Sequence, residues 1–330
     1  MKYQTLFKRV ADMSLVLVLL VGCSAPSIQE PTLAPPISSP TVVATPTQPA
    51  SPSMEKIWET KGSPNAFRLP TELAVDTQGN VYMIDGGNHR VQKFDKDGNF
   101  VLMWGSPGAG DGQFFFQAPP AHYGSIAVDK DGYIYVTDHH NRVQKFDSNG
   151  NFLMKFGRTG YPDGEFYSLY GVAVDDQGNI YTTDWTKYEI QKFDSEGQFL
   201  QKWEVPSCKQ GGISSPYNLV IDEQGQLYVT QQMGNCIQKF DLQGNLLHQW
   251  GELGNAEGQF NKPLSLALDA QGNLYVSDNE NSRIQKFDSN GNFLAAYGPF
   301  EYPVGIAMDS EGYVYVVEIV LGRLQKLLLQ

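Results

Sequence analysis

From about residue 54 to the end of the chain, short apolar runs of four to six residues alternate with polar turn clusters. One run recurs almost unchanged: Val/Ile-Gln-Lys-Phe-Asp at residues 91–95, 143–147, 190–194, 237–241 and 284–288, with a degenerate sixth copy, Leu-Gln-Lys-Leu, at 324–327. The copies start 52, 47, 47, 47 and 40 residues apart. A second run ends in Asp at Asp76, Asp129, Asp175, Asp222, Asp269 and Asp309. A third carries Tyr82, Tyr135, Tyr181, Tyr228, Tyr275 and Tyr315. Six copies of three markers at this period indicate one supersecondary unit repeated six times.

Each unit resolves into four strands. In the first they are residues 73–76 (strand a), 81–84 (b), 90–95 (c) and 100–104 (d). Between a and b lies Asp76-Thr77-Gln78-Gly79-Asn80, and between c and d lies Asp95-Lys96-Asp97-Gly98-Asn99. Gly and Asn tolerate the positive φ of tight hairpins, so both are read as antiparallel turns. The runs are too short for helices and rich in Val, Ile, Tyr and Phe. Consecutive apolar positions, as in Phe100-Val101-Leu102-Met103-Trp104, predict strands buried on both faces between neighbouring sheets.

Four antiparallel strands per unit, repeated radially, define an all-β six-bladed β-propeller. The last unit has strands a to c and then stops. Its missing strand d is expected from the other end of the domain, where Lys56-Ile57-Trp58 leads to Gly62-Ser63-Pro64 and echoes Gly105-Ser106-Pro107. An N-terminal strand closing the last blade removes an exposed sheet edge.

The units resemble NHL repeats over nearly all of residues 54–330. The residues that carry the resemblance are Gly110-Asp111-Gly112-Gln113-Phe114, Asp163-Gly164-Glu165-Phe166 and Glu257-Gly258-Gln259-Phe260 ahead of strand a, and Asp85, Asn88, His89 and Arg90 with their counterparts. The resemblance is specific for fold and says little of function, because one fold hosts many activities.

The first 53 residues differ in kind. Lys2, Lys8 and Arg9 precede the apolar run 15–21, then Gly22 and Cys23, which reads as a secretory signal peptide over 1–22. The run is too short for a membrane span of about 20 residues. Leu20-Val21-Gly22-Cys23 resembles the bacterial lipobox, which implies acylation of Cys23 as the mature N-terminus. Residues 24–53 hold 8 Pro, 6 Ser and 4 Thr and one charge, Glu30, so 23–53 is read as a lipidated, Pro/Ser/Thr-rich disordered tether. At about 3.1 Å per residue it reaches roughly 90 Å from the membrane. The expected location is the periplasmic or outer cell surface, with the lipid as the only membrane contact.

Composition narrows the partners. The 330 residues are 41% apolar, enough for a large core, and carry 24 Lys+Arg against 36 Asp+Glu, a net charge of −12. Such a chain repels a phosphate backbone, which argues against nucleic acid. Loops that depart from the repeat on the b–c and d–a end are the candidate binding positions. They hold Phe116, His122 and Tyr123 in a six-residue excess before blade 2, His139 and His140 in its b–c loop, and Trp185 and Tyr188 in that of blade 3. Tyr170 and Tyr217 stand at strand-a starts. These rings serve either as a surface for a protein or glycan or as a roof over the blades. A metal site from His122, His139, His140 and Asp138 is the less favoured reading, since adjacent histidines on an extended loop point apart. A ring of Asp85, Asp138, Asp184 and Asp278 suits pairing with Arg90, Arg142 and Arg283 better than a channel cation. Cys208 and Cys236, in loops of the same end, are expected to form a disulfide in an oxidising compartment.

Among six-bladed relatives the resemblance brings in streptogramin lyases, peptidyl-amidoglycolate lyases and gluconolactonase-like enzymes. The lyases need histidines or metal ligands from several blades. Here no histidine follows His248, itself in an outer strand. A lactonase-type hydrolase would use a channel Ca or Zn, for which Glu72 and Asn218 are candidate ligands; a third is not apparent. The reading favoured is a monomeric, non-catalytic recognition module without a cofactor.

Overall fold

A computed structural model describes residues 52–61, 66–116 and 124–330. Cys23, the tether, His122 and Tyr123 lie outside the described residues. Met54–Thr60 (β1) is first in the chain and last in the ring. Blade 1 is Pro70–Val75 (β2), Val81–Asp85 (β3), Arg90–Phe94 (β4) and Phe100–Trp104 (β5); blade 2 is Ile126–Val128 (β6), Ile134–Asp138 (β7), Arg142–Phe146 (β8) and Phe152–Phe156 (β9). Blade 3 is Leu169–Val174 (β10), Ile180–Asp184 (β11), Glu189–Phe193 (β12) and Phe199–Glu204 (β13); blade 4 is Pro216–Ile221 (β14), Gln226–Gln231 (β15), Cys236–Asp241 (β16) and Leu246–Trp250 (β17). Blade 5 is Pro263–Leu268 (β18), Leu274–Asp278 (β19), Arg283–Phe287 (β20) and Phe293–Tyr297 (β21). Blade 6 is Pro303–Met308 (β22), Tyr313–Glu318 (β23) and Arg323–Leu329 (β24), completed by β1, which pairs antiparallel with β24. The six-bladed, N-terminally closed ring expected from the repeats is the fold.

The three sequence markers meet in space. The b-strand Tyr and the c-strand Lys are cross-strand partners, as in Tyr82↔Lys93 and Tyr228↔Lys239. In every blade that Lys ammonium lies about 5 Å from the Tyr ring centroid, from 4.9 to 5.2 Å. In every blade the Tyr hydroxyl donates to the Asp that ends the a strand, from 2.8 Å at Asp309 to 3.4 Å at Asp269. Burial first, and then the adjacent carboxylate, pushes the Tyr82 phenol pKa up, so the hydroxyl remains a donor. Each Asp also caps its own turn: Asp76 Oδ1 accepts the N–H groups of Gln78 and Asn80, both at 2.9 Å.

Strand d departs from the sequence expectation. Phe100–Trp104 alternates between half-buried and exposed, with Val101 47% and Met103 40% exposed, whereas Val81–Asp85 is buried throughout. The reason is radial: blades splay apart toward the rim, and the outermost strand has a neighbour on one face only. That face is specific. Trp104 packs over Phe146 at 5.7 Å between centroids, and a Cβ on Gly150 would stand 2.7 Å from the Trp104 ring.

The Asp–Arg reading holds. Asp85 accepts Arg90 Nε at 2.7 Å, Asp138 accepts Arg142 Nη2 at 3.1 Å, Asp278 accepts Arg283 Nε at 2.7 Å, and Glu318 pairs with Arg323 in blade 6. Arg142 Nη1 and Nη2 also donate to the carbonyls of Ala109 and Gln113, and Arg283 does the same to Asn255, Ala256 and Gln259. The two Gly-Gln-Phe segments are thus held by arginine, the Gly164-Glu165-Phe166 segment by Lys187 and Gln191, and Phe114, Phe166 and Phe260 are fully buried. Blade 3 substitutes four backbone N–H donors to Asp184. Blade 4 has Gln231 and Cys236 at the two positions, and Cys236 forms the expected disulfide with Cys208.

Candidate functional site

Register fixes which end carries the site. Pro70 pairs with Asp85, so strand-a starts and b–c loops share one face. There the two loop sets are stitched: Gly87, His139, Trp185, Gln232 and Glu280 each donate a backbone N–H to the loop leading into strand a.

Two aromatic groups stand on this face. In blades 3 and 4, Tyr170 and Tyr217 are half-buried with ring centroids 5.1 Å apart, and half-buried Trp185 stacks on Tyr170 at 6.5 Å. Tyr188 is 42% exposed. In blades 1 and 2, exposed Phe115 stacks on His89 at 5.4 Å and lies 5.9 Å from both His139 and His140. Phe116 is a correction. It is 2% exposed, stacked on Phe114 at 5.1 Å, and belongs to the core. The chain alternates sides there, and Phe115, not Phe116, reaches the surface. His89, named above only among the repeat residues, belongs to this group; it sits at a left-handed φ of 53° and its Nδ1 accepts the Phe116 N–H at 3.0 Å. Burial first, with Arg68 nearby, lowers its pKa.

Between these groups the six inner strands enclose a channel of about 210 Å³. The Asp ring takes no part in its lining. Glu72 and Asn218, from opposite blades 1 and 4, do meet. Asn218 Nδ2 donates to Glu72 Oε2 at 2.7 Å, Ser265 Oγ donates to Oε1 at 2.9 Å, and the Leu73 N–H donates to Oε1 at 3.2 Å. All three side chains are buried, and Ser265 had no signal in the repeat beyond its place next to Pro263 and Leu264. Burial raises the Glu72 pKa to about 8, opposed by the bonds from Ser265, Leu73 and Asn218.

These residues do not fit a Ca or Zn centre. Asn218 and Ser265 present hydrogens, not lone pairs, to the carboxyl, and among the described residues no three His, Cys, Asp or Glu side chains converge as ligands. His248 lies in β17 at the rim, stacked on Trp250 at 5.6 Å, away from the channel.

The fold is a six-bladed propeller, and two of its units match NHL repeats. The "NHL repeat" family profile matches residues 67–94 and 260–287, and a "6-bladed beta-propeller" profile matches residues 121–216. The chain is similar to protein brain tumor of Drosophila melanogaster, 33% identical over 116 residues, which are 34% of this chain and 10% of that one. It is also similar to a probable peptidyl-alpha-hydroxyglycine alpha-amidating lyase, pgal-1, of Caenorhabditis elegans, 34% identical over 91 residues, 26% of this chain and 25% of that one. The chain thus spans a quarter or less of the length of these relatives. Among solved structures, a streptogramin B lyase superposes with a TM-score of 0.59 at 16% identity, covering 84% of this chain and 98% of that one. A Bacteroides thetaiotaomicron protein of unknown function superposes at 0.65 and 17%, covering 85% and 76%. At these identities the superpositions speak for the fold.

Proposed function

We propose that this chain is a bacterial, lipid-anchored recognition module: Cys23 acylated after removal of residues 1–22, residues 23–53 a tether, and the monomeric propeller binding a protein or carbohydrate outside the cytoplasm without catalysis. The observation that carries the binding half is the Trp185–Tyr170–Tyr217 wall. Three half-buried rings in a row, Tyr170 touching both Trp185 and Tyr217, offer a large, rigid apolar surface that loses little entropy on binding. Phe115 and the histidines around it extend the face into blades 1 and 2. The lactonase-type alternative draws on Glu72 and Asn218, which are already hydrogen-bonded to each other, Asn218 Nδ2 donating to Glu72 Oε2.

Glycan arrays and cell-surface pull-downs supply the ligand, and variants test the face. Trp185→Ala and His140→Ala should each weaken capture by about tenfold while leaving the melting temperature nearly unchanged. If both variants unfold a blade instead, the rings are roof and the reading fails. Chelation with EDTA that lowers the melting temperature of the wild-type protein would favour the hydrolase alternative.

A further inference from the structure

Most buried carboxylates of this ring have a cation or several amides. Asp85, Asp138, Asp278 and Glu318 each hold an arginine, and Asp184 takes four backbone N–H groups. Glu72 is different. It is 6% exposed, and among the described residues none of its hydrogen-bond partners is Lys, Arg or His. Its Oε1 accepts two bonds and its Oε2 only one, so Oε2 carries the proton of the neutral acid and has a lone pair to offer once that proton leaves.

Beside it lies a small pocket. Glu72, Ser125 and Asn218 give it polar walls, Tyr170 and Tyr217 aromatic ones, and its volume is about 10 Å³, the space of one water-sized group. A buried carboxyl lacking a counter-ion, next to tyrosines and a cavity of that size, selects by charge and by size together. A cation satisfies the carboxylate. A primary ammonium tip matches the volume of a water molecule, and a trimethylammonium head exceeds it.

We infer that the Glu72 pocket is a receptor for a primary ammonium group, the tip of an alkylamine or of a lysine side chain on the captured ligand. This rests on the recognition reading above and gives it a chemical anchor point at the channel mouth. Binding converts the neutral Glu72 acid and a free alkylammonium into a carboxylate–alkylammonium ion pair. The carboxyl proton goes to the buffer, one for each ligand bound. Asn218 and Ser265 keep their bonds to the carboxylate, so no rearrangement across the channel is required.

Calorimetric titration of the purified full chain at pH 7 tests it, in two buffers of different ionisation enthalpy. The probes are n-butylammonium and Nα-acetyl-lysine methylamide; tetramethylammonium and n-butanol are the size and charge controls. The expected result is one-to-one binding of the primary amines with proton release, absent for both controls. Tighter binding of the lysine derivative points to a protein ligand, and preference for butylammonium to a free amine. In Glu72→Gln the affinity should fall by about tenfold or more and proton release should vanish. The wild-type titration is decisive even if that variant is unstable. No saturable heat, equal binding of tetramethylammonium or butanol, or proton release that persists in Glu72→Gln overturns the inference. Ligand capture by Trp185→Ala is scored separately, because Trp185 does not line this pocket; the recognition reading can therefore stand or fall independently.

Discussion

Burial alone disfavours an ionised carboxyl, and Glu72 shows the consequence. With neutral donors only, its pKa rises to about 8 against an ordinary value near 4.3. The linkage follows. Below about pH 4 both folded and unfolded chains hold the proton, and the group costs nothing. As the pH climbs to about 8 the unfolded chain releases its proton and the folded one does not, so stability falls by up to about 1.4 kcal/mol per unit. Glu72→Gln has no such dependence. The melting temperature of Glu72→Gln minus that of the wild-type protein should therefore rise between pH 5 and pH 8 and level off above it. A difference that is flat with pH would show that the carboxyl is not held neutral by the fold. Legibility at this scale was uneven. Asp85, Arg90, Cys208 and Cys236 could be read because their spacing recurs or their compartment constrains them. Phe116 was misassigned because three consecutive phenylalanines conceal a period of two. Phe114 occupies the position of buried Phe166 and Phe260, and that anchor fixes Phe115 as the outward ring. Ser265 was not legible, since its partner Glu72 lies 193 residues away.

The strand is the scale at which the sequence spoke most plainly, because Asp, Gly and Asn recur at each hairpin and the register of Tyr against Lys follows from them. Where the reading failed, at strand d, it assumed that every apolar run is buried on both faces. A radial sheet has an outer edge, and there Leu153, Leu200 and Leu294 remain about half exposed. The buried face of that strand sets the contact between blades. Gly98, Gly150, Gly197, Gly244 and Gly291 of the c–d turns face Trp58, Trp104, Phe156, Trp203 and Trp250 of the preceding blade in the ring. At Gly150 a φ of 78° and a Trp104 ring 2.7 Å from a would-be Cβ exclude any side chain twice over. Gly150→Ala should cost about 1–3 kcal/mol in denaturant unfolding. Gly132→Ala, at a comparable φ of 82° with nothing near its Cβ, isolates the backbone share. If the two cost the same, the ring-on-glycine contact contributes nothing to blade packing.

A ring of blades has no end only because β1 returns to blade 6. Six of its seven residues pair with β24, from Met54↔Leu329 to Thr60↔Leu324 with a bulge at Ile57, and Ser53 and Gln330 exchange both backbone hydrogen bonds at 3.0 Å. The same strand joins blade 6 to blade 1: the Trp58 indole donates to the Lys96 carbonyl at 3.0 Å and packs edge-on against Tyr315 at 5.8 Å. Closure therefore carries two loads, a sheet edge and a blade junction, both on β1. Deleting residues 1–60 removes them together. It leaves Arg323–Leu329, a strand with four leucines, as an open edge of the kind that pairs with other chains. The expected outcome is a lower melting temperature and concentration-dependent oligomers in size-exclusion chromatography with light scattering, whereas a chain that begins at residue 53 stays monomeric. Adding a synthetic peptide of residues 53–61 in trans should restore the monomer, because the edge it covers is defined by register and not by covalent connection. A truncated protein that remains monomeric and melts as the longer one would mean that blades 1 to 5 stabilise the ring without its clasp.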